Sequence, residues 1–204
     1  MGGMLARRLR ADIGLFAAAV DRSVTAADAL AAMLSPGETI GLVELPGWPA
    51  PPGLEPSGSA RCVQMVAEAE VRAPADLDVV RLTDADAPAM LDLATRTEPG
   101  PFRRSTHSFG GFVGVKRDGR LVAMAGTRLA LPGHVEVSGV CVDPGHRGRG
   151  LARALSAVVA RAIQTSGDRP FLHAYAGHRS TIALYESLGF RTRVELDYAL
   201  FTRG

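Results

Sequence analysis

The stretch DPGHRGRGLA, residues 143–152, is the feature that most constrains the fold of this chain. It holds three glycines and two arginines and lies between two apolar runs, VEVSGVCV and LARALSAVVARAI. In the second run Leu151, Leu155, Val158 and Ala162 mark one helical face, so the pattern predicts a strand, a glycine-rich turn and a helix. The start of such a helix offers unpaired N–H groups and a partial positive charge, which can hold a phosphate group. Composition alone also allows an ordinary surface turn with exposed arginines.

Two common nucleotide signatures do not fit this turn. A P-loop requires a lysine after its last glycine, and the turn contains none. A dinucleotide fingerprint would need glycine at 148, 150 and 153, but residue 153 is arginine. Asp168, at the right distance for a ribose-binding acid, precedes the next strand instead of following it. Both nucleotide interpretations therefore fail.

The first part of the chain reads as a small α/β region. We expect a helix ending near Leu34, a turn at Pro36–Gly37 and a strand through residues 40–43. After a loop rich in Pro, Gly and Ser at residues 46–60, a second strand would complete a hairpin with a long insertion. The segment RAPAD, residues 72–76, is the best candidate for a linker.

The remainder mixes strands and helices. A short strand precedes a helix that Thr83 caps, a hairpin turns at Asp118–Gly119, and HVEVSGVCV and PFLHAYA are further strands. A helix over HRSTIALYESLGF ends at Gly189, and a last strand follows. The sequence therefore predicts an α+β or α/β protein without internal repeats, with an N-terminal region over residues 1–77 and a second domain over residues 78–204.

Composition narrows the class of protein. A net charge of +2 is too small for a sequence-blind nucleic-acid binder, and no stretch reaches the ~20 apolar residues of a membrane span. The two cysteines, Cys62 and Cys141, lie in apolar runs and are expected to be buried reduced thiols. The N-terminus imitates a signal peptide, but its one cleavage-like site falls inside the apolar run. We expect a cytoplasmic protein without a nucleic-acid or membrane partner, and a homodimer is left open.

Two motifs carry a resemblance to a known family. Arg147, Gly150 and Ala152 form the pattern Arg-x-x-Gly-x-Ala, which resembles the acyl-CoA signature of the GNAT superfamily of N-acetyltransferases. Further on, TIALYESLGF resembles the second hallmark of the family, A-x-x-LYExLGF, with Thr181 in the place of the alanine. The resemblance runs from about Asp78 to Phe201. The segments TEPGPF, GRLVAMAG and PFLHAYA also resemble one bacterial branch of this superfamily, in which the N-terminal part resembles a degenerate half-copy of the same fold.

The resemblance implies a fold, a co-substrate and a binding cleft. The fold would be a central mixed, mostly antiparallel sheet flanked by helices, with the smaller N-terminal α/β region beside it. Acetyl-CoA would be the co-substrate, without a metal, and an N–H near Val140 would face the thioester oxygen. The family usually has asparagine where this chain has His178, so the helix there could start later, capped by Ser180 or Thr181. The cofactor-binding residues implied are Val140, Cys141, Val142, Arg147, Gly148, Arg149, Gly150, Leu151, Ala152, Arg153 and His178.

Two residues are candidates for proton transfer. Glu136 lies close to where some family members carry a glutamate that works through a water, and burial among apolar strands would raise the pKa of its carboxyl group, as a general base requires. His134 is the fallback base. Tyr185 matches the family tyrosine that approaches the sulfur of the cofactor, and a core aromatic is the less favoured alternative. A ping-pong route through Cys141 is the less favoured alternative to direct transfer.

The predicted function is therefore acetyl transfer from acetyl-CoA to a primary amine of a small molecule or peptide. A non-enzymatic acyl-CoA-binding regulatory domain is the alternative, and a nucleic-acid binder ranks third. The acceptor cannot be read from the sequence. Family specificity comes largely from the first helix, its following loop and the end of the chain, where Glu98 could attract an amine.

Overall fold

An eight-stranded sheet and a separate two-stranded ribbon, β1 with β2, make up the β-structure of a computed structural model that describes residues 3–204. The strands are β1 (Ala6–Arg8), β2 (Ala17–Ala19), β3 (Thr39–Glu44), β4 (Leu54–Ala67), β5 (Val80–Arg81), β6 (Phe112–Arg117), β7 (Arg120–Leu131), β8 (His134–Val142), β9 (Arg169–Tyr175) and β10 (Phe190–Arg203). The helices are α1 (Val24–Ala32), α2 (Ala87–Thr97), α3 (Leu151–Thr165) and α4 (Arg179–Glu186). The predicted α+β class is confirmed.

The order of strands across the large sheet is β3-β10-β4-β9-β8-β7-β6-β5. Neighbouring strands in this described part of the chain are antiparallel, apart from the parallel pair β8 and β9. The sheet is therefore mixed and mostly antiparallel, as predicted. Its one parallel pair lies near the middle, where the site is built.

The predicted hairpin of β3 and β4 is wrong. Both strands pair with β10, which lies between them, and Tyr198 of β10 is opposite both Val43 and Ala60. Strand β4 also begins at Leu54, inside the segment predicted to be a loop. The alternation of apolar and polar side chains shows which residues can form a strand, but it does not specify which other strand they pair with.

The N-terminal residues share the sheet and the core with the rest of the chain. Strand β4 lies between β9 and β10, and its Val63 and Met65 belong to the same buried cluster as Leu155 and Phe190. The predicted boundary near residue 77 thus follows the end of a central strand and does not separate two sheets. That residues 1–77 derive from a degenerate half of the fold stays a prediction.

Helix α3 packs against the sheet through a face slightly rotated from the predicted one. Leu151, Leu155, Val159 and Ile163 are buried, whereas Ala162 is exposed. On the other face of the sheet, α2 contributes Met90 and Leu93 to a second buried cluster that includes Cys141. Among residues 3–204, no helix is both long enough and apolar enough to cross a membrane.

Candidate active site

Strands β8 and β9 separate at the centre of the sheet. Their parallel ladder joins His134 to Arg169 and ends with Glu136 opposite Phe171. Beyond this point each strand keeps its outer neighbour, because β8 pairs with β7 up to Val142 and β9 pairs with β4 up to Tyr175. The two strands therefore diverge and leave unpaired backbone on both sides of a cleft, as the family resemblance implies.

A β-bulge shapes the β8 side of this cleft. Ser138 and Cys141 pair with Gly126 and Met124, so two residues of β8, Gly139 and Val140, lie opposite one residue of β7. Gly139 adopts a positive φ of 63°, the left-handed conformation that the first residue of such a bulge takes. The extra residue falls out of the ladder, which frees backbone groups to face the cleft.

The glycine-rich turn leads from β8 into α3. Gly148 and Gly150 have φ values of 75° and 74°, and apart from their chain neighbours no atom of residues 3–204 lies within 4 Å of where a Cβ would stand on either residue. Gly150 occupies the N-cap position of the 15-residue helix α3, and no side chain caps the helix there. The first N–H groups of α3 therefore meet open space, which is the arrangement that binds a phosphate group.

Two cavities meet along the cleft. The central cavity, of about 450 Å³, lies between β8 and β9. The turn cavity, of about 440 Å³, lies over the glycine-rich turn and the start of α3. Thr97, Val140 and Arg147 line both cavities. The two cavities therefore adjoin between the helix start and the centre of the sheet, and together they are called the channel here.

Five polar side chains form a hydrogen-bonded row across five neighbouring strands, here called the polar row. They are Arg128 on β7, Glu136 on β8, His173 on β9, Gln64 on β4 and Arg193 on β10. Arg128 binds both oxygens of Glu136, with Nε–Oε2 and Nη2–Oε1 distances of 2.8 and 2.6 Å. His173 Nδ1 lies 2.8 Å from Oε1 of Glu136. The row crosses the sheet where the parallel ladder ends.

The prediction that Glu136 has a raised pKa is wrong. The side chain is 0% exposed. Burial alone raises its pKa, but the charge and hydrogen bonds of Arg128 and the hydrogen bond of His173 outweigh burial and lower the pKa to about 2. A carboxylate held in this way is a poor proton acceptor near neutral pH. The sequence showed the apolar strands around Glu136 but not the cation brought opposite it by a register shift in β7.

Two other candidate side chains keep their protons. Burial raises the pKa of Tyr185 to about 12, although the nearby hydroxyl of Ser156 lowers it in part, and Tyr185 lines the central cavity. Burial raises the pKa of the Cys141 thiol to about 11, which Thr97 and Arg96 offset only in part. Tyr185 is therefore suited to donate a proton in the central cavity. Cys141 is not an activated nucleophile, because its thiolate is disfavoured.

The structure brings together most of the predicted site residues. Val140 and Arg147 line both cavities, and the central cavity also receives Glu136, His178 and Tyr185. The turn cavity is lined in addition by Cys141, Val142, Gly148, Gly150, Leu151, Ala152 and Arg153. Two side chains do not join them.

Arg149 is exposed and lines neither cavity, and His134 instead lies by the turn before β8, with Nδ1 3.2 Å from the carbonyl oxygen of Pro132. Helix α4 begins at Arg179 with His178 at the N-cap, and the imidazole makes no capping hydrogen bond. A later start after Ser180 or Thr181 is therefore wrong.

Several residues of the central cavity were not predicted from the sequence. Arg128 and His173 each interrupt an apolar strand with a polar side chain, as Glu136 does, and this shared anomaly could have indicated a buried network. Phe16 and Tyr198 come from the N-terminal segment and from the last strand. No local pattern marks them, because their place depends on how β3 and β10 pair.

No three His, Cys, Asp or Glu side chains of residues 3–204 lie close enough together to hold a metal ion. The candidate site therefore consists of a channel, a glycine-rich helix start, a fixed carboxylate and a protonated tyrosine. Comparisons with known proteins place this arrangement in a family.

The family model described as FR47-like protein matches residues 112–199. A crystal structure from Novosphingobium aromaticivorans, assigned to the GNAT family as an acetyltransferase, is 41% identical, with a TM-score of 0.92 over 100% of this chain and 90% of that one. A GCN5-related N-acetyltransferase from Kribbella flavida has the same fold, with a TM-score of 0.64 at 20% identity over 95% of this chain and 84% of that one.

A curated relative matches a shorter part of the chain. The mycothiol acetyltransferase of Streptomyces avermitilis is 34% identical over 84 residues, which are 40% of this chain and 27% of the relative. The match thus spans about a quarter of the length of that relative. The likeness to the Novosphingobium structure extends over the whole chain and includes the site. The chain belongs to the GNAT family of acetyltransferases.

Proposed function

We propose that this protein transfers an acetyl group from acetyl-CoA directly to a primary amine of a small molecule or peptide. The observation that carries the proposal is the channel formed by the two adjoining cavities. It begins over the bare N-terminus of α3, passes the bulge at Gly139 and reaches Tyr185 in the central cavity. A phosphate-binding end and a proton donor at the two ends of one channel suit a long co-substrate whose reacting group lies inside the sheet.

The residues of the turn cavity fit acetyl-CoA. The open space over Gly148 and Gly150 lets the backbone approach a pyrophosphate closely, and the start of α3 supplies N–H donors and a partial positive charge. Arg147 adds formal charge at the junction of the two cavities. Arg153 is held by Ser187, 3.1 Å from Nε to Oγ, so that it covers the same side of the helix start. When bound, acetyl-CoA would supply an acetyl group activated as a thioester.

Around the reacting group, the chain would supply a hydrogen-bond donor and an acid. In our proposal the bulge brings the N–H near Val140 to the edge of the cleft, where it would polarise a carbonyl oxygen. Tyr185, whose hydroxyl remains protonated at any pH well below 12, would donate a proton to the departing sulfur as the C–S bond breaks. The amine would lose one proton to solvent before it attacks, and the proton that it releases as the C–N bond forms would return to the oxygen of Tyr185. Glu136 has both oxygens engaged, so in our proposal it positions Arg128 and His173 and does not accept the amine proton.

Direct transfer is supported over an acyl-cysteine route. Cys141 lies on the wall of the turn cavity, buried against α2, and the pKa of its thiol is raised to about 11. A thiol in this state is a weak nucleophile. We expect Cys141→Ala to keep most of the activity, and a labelled acetyl group that stays on the protein without an acceptor would overturn direct transfer.

The experiment that tests the proposed function combines binding with turnover. Calorimetric titration with acetyl-CoA should show one site, and release of free thiol should follow addition of amines from a panel of amino acids, polyamines and peptides. Gly150→Val should abolish binding while the fold persists, because a side chain at φ 74° strains the turn and fills the phosphate site. Unchanged affinity would count against the site. Binding without thiol release from any amine would instead indicate a non-enzymatic acyl-CoA-binding domain.

A further inference from the structure

Part of the lining of the central cavity is aromatic and carries one arginine. Phe16, Tyr175 and Tyr198 contribute rings, and Phe16 lies 5.8 Å from Tyr198 between ring centroids. The guanidinium carbon of Arg128 lies 4.3 Å from the centroid of the Phe16 ring. One face of the guanidinium is thus covered by an aromatic ring, which holds the group in a fixed plane.

Within the described part of the chain, Arg128 makes hydrogen bonds through one edge of its guanidinium. Its Nε and Nη2 atoms bind Glu136, whereas Nη1 makes no hydrogen bond with any of residues 3–204. The side chain is 15% exposed and lines the central cavity. Because Glu136 covers the edge formed by Nε and Nη2, and Phe16 covers one face, the Nη1 donors lie on the part of the guanidinium that neither residue covers. A planar guanidinium presents N–H donors on more than one edge, so it can hold Glu136 and still bind a second oxygen group.

The charges around the cavity indicate which group this is. Arg128 and Glu136 neutralise each other, which leaves Arg147 and the exposed Glu98 as the other charged residues of the lining within residues 3–204. A doubly charged phosphate would enter a site without net positive charge and would lose most of its hydration there. An amine that brings its own carboxylate enters without net charge. One oxygen of that carboxylate can accept a hydrogen bond from Nη1 of Arg128.

We propose that the acceptor is an amino-acid-type molecule, in which the reactive amine accompanies a free carboxylate and an apolar or aromatic body. The carboxylate binds Nη1 of Arg128, and the body packs among Phe16, Tyr175 and Tyr198. This inference rests on the proposed function and names its substrate class. The cavity of about 450 Å³ lies within the range of ~300–1,000 Å³ typical of small-molecule sites.

The test compares each acceptor with its own carboxamide. L-leucine, L-methionine, L-phenylalanine and L-tyrosine and their amides are titrated into the protein saturated with CoA, and thiol release from acetyl-CoA is measured with the same eight compounds. We expect at least one acid to bind and react about 10-fold or more better than its amide, because the amide loses a charged hydrogen bond. Equal binding of acids and amides would overturn the proposal and favour a peptide N-terminus as the acceptor.

Variants of two arginines on the same strand sharpen the test. Arg128→Lys keeps a cation for Glu136 but removes the second edge of the guanidinium. The affinity and the rate of thiol release for each acid should then lie within about 3-fold of those for its amide. Arg120→Lys, at the exposed start of β7, should keep the ratio of the original protein. A ratio that survives Arg128→Lys would place the carboxylate elsewhere. If Arg128→Lys does not fold, the acid and amide pairs on the unaltered protein decide the question.

The outcomes separate this proposal from the proposed function. Thiol release with amides but no preference for acids leaves acetyl transfer standing and removes the carboxylate site. Preferential binding of acids without thiol release from any amine removes the proposed transfer and leaves the binding site. Absence of any difference in either measurement overturns the proposal on the acceptor.

Discussion

Tyr185 is the single side chain on which the proposed chemistry most depends. Tyr185→Phe keeps the ring, which packs at 6.0 Å from Phe190, but removes the hydroxyl. We expect kcat to fall about 100-fold while the Kd for acetyl-CoA changes little, since the lost proton donor acts only during transfer. Single-turnover kinetics and calorimetry measure the two effects separately. Turnover at the original rate would reduce Tyr185 to a core aromatic.

Glu136 should act on stability more than on proton transfer. Its pKa is about 2 in the fold and 4.5 as an ordinary glutamate, so it stabilises the fold by about 3 kcal/mol above pH 4.5, and this stabilisation is lost as the pH falls through 2. Glu136→Gln should lower the free energy of unfolding at pH 7 by a similar amount, because Arg128 loses its counter-charge. Urea titrations over a range of pH measure this.

The exposed Glu68 offers a control for the same substitution, since Glu68→Gln should change stability by less than ~0.5 kcal/mol. The difference between Glu136→Gln and the original protein should shrink below about pH 4. A variant of unchanged stability whose kcat loss recovers as the pH rises would restore Glu136 as the general base.

These residues show what a sequence can and cannot reveal about a site. Tyr185, Arg147 and Gly150 were found because their motifs are local, and each lines the predicted cleft. The pKa of Glu136 was predicted in the wrong direction, because Arg128 and His173 come from two other strands. The charge of a buried group depends on its partners, and its partners depend on the register of neighbouring strands.

Among the strands, β8 carries the feature that most directly shapes the cleft, its bulge at Gly139. A Cβ on Gly139 would stand 2.8 Å from Cε1 of Phe112, and its φ of 63° is unfavourable for alanine. Gly139→Ala should therefore lower the free energy of unfolding by more than the ~1–2 kcal/mol expected from the backbone alone, and lower kcat/KM at least 10-fold. Thermal unfolding and thiol release measure these effects.

The turn between β6 and β7 contains a matched position. Gly119 also has a positive φ, 76°, but nothing lies within 4 Å of where its Cβ would stand, and it is outside both cavities. Gly119→Ala should show the backbone effect on stability without the loss of activity. Equal activity of the two alanine variants would mean that the bulge does not serve the reaction.

The elements themselves were largely predictable, and their partners were not. Strand β8 runs over His134–Val142, as its apolar pattern between two turns predicted. The hairpin of β6 and β7 was also found from its turn residues, and helix α4 was found from Gly189 near its end, although its start was predicted too late. Strand β10, in contrast, inserts between β3 and β4, and nothing in the sequence of β3 or β4 excludes the direct pairing that we expected.

As a whole molecule, the chain depends on its N-terminal third to complete the sheet. Strand β4 pairs with both β9 and β10, so a fragment of residues 78–204 would expose two strand edges and part of the core around Phe190. We expect this fragment to be unfolded or aggregated, although it contains both family motifs. Circular dichroism and urea titration measure its folding. Cooperative unfolding of the fragment, together with acetyl-CoA binding, would contradict the prediction.

The polar row has a fixed direction of hydrogen bonding. Arg193 donates to Oε1 of Gln64, so the Gln64 amide nitrogen must face Nε2 of His173, and an amide nitrogen can only donate. His173 must then accept at Nε2 and carry its proton at Nδ1, where it donates to Glu136. If the Gln64 amide were flipped, its nitrogen would face the donor of Arg193. If the proton of His173 moved to Nε2, that N–H would face the amide nitrogen of Gln64. The row thus allows a single arrangement of its protons. The side chains of five strands therefore have mutually fixed orientations at the point where β8 and β9 separate.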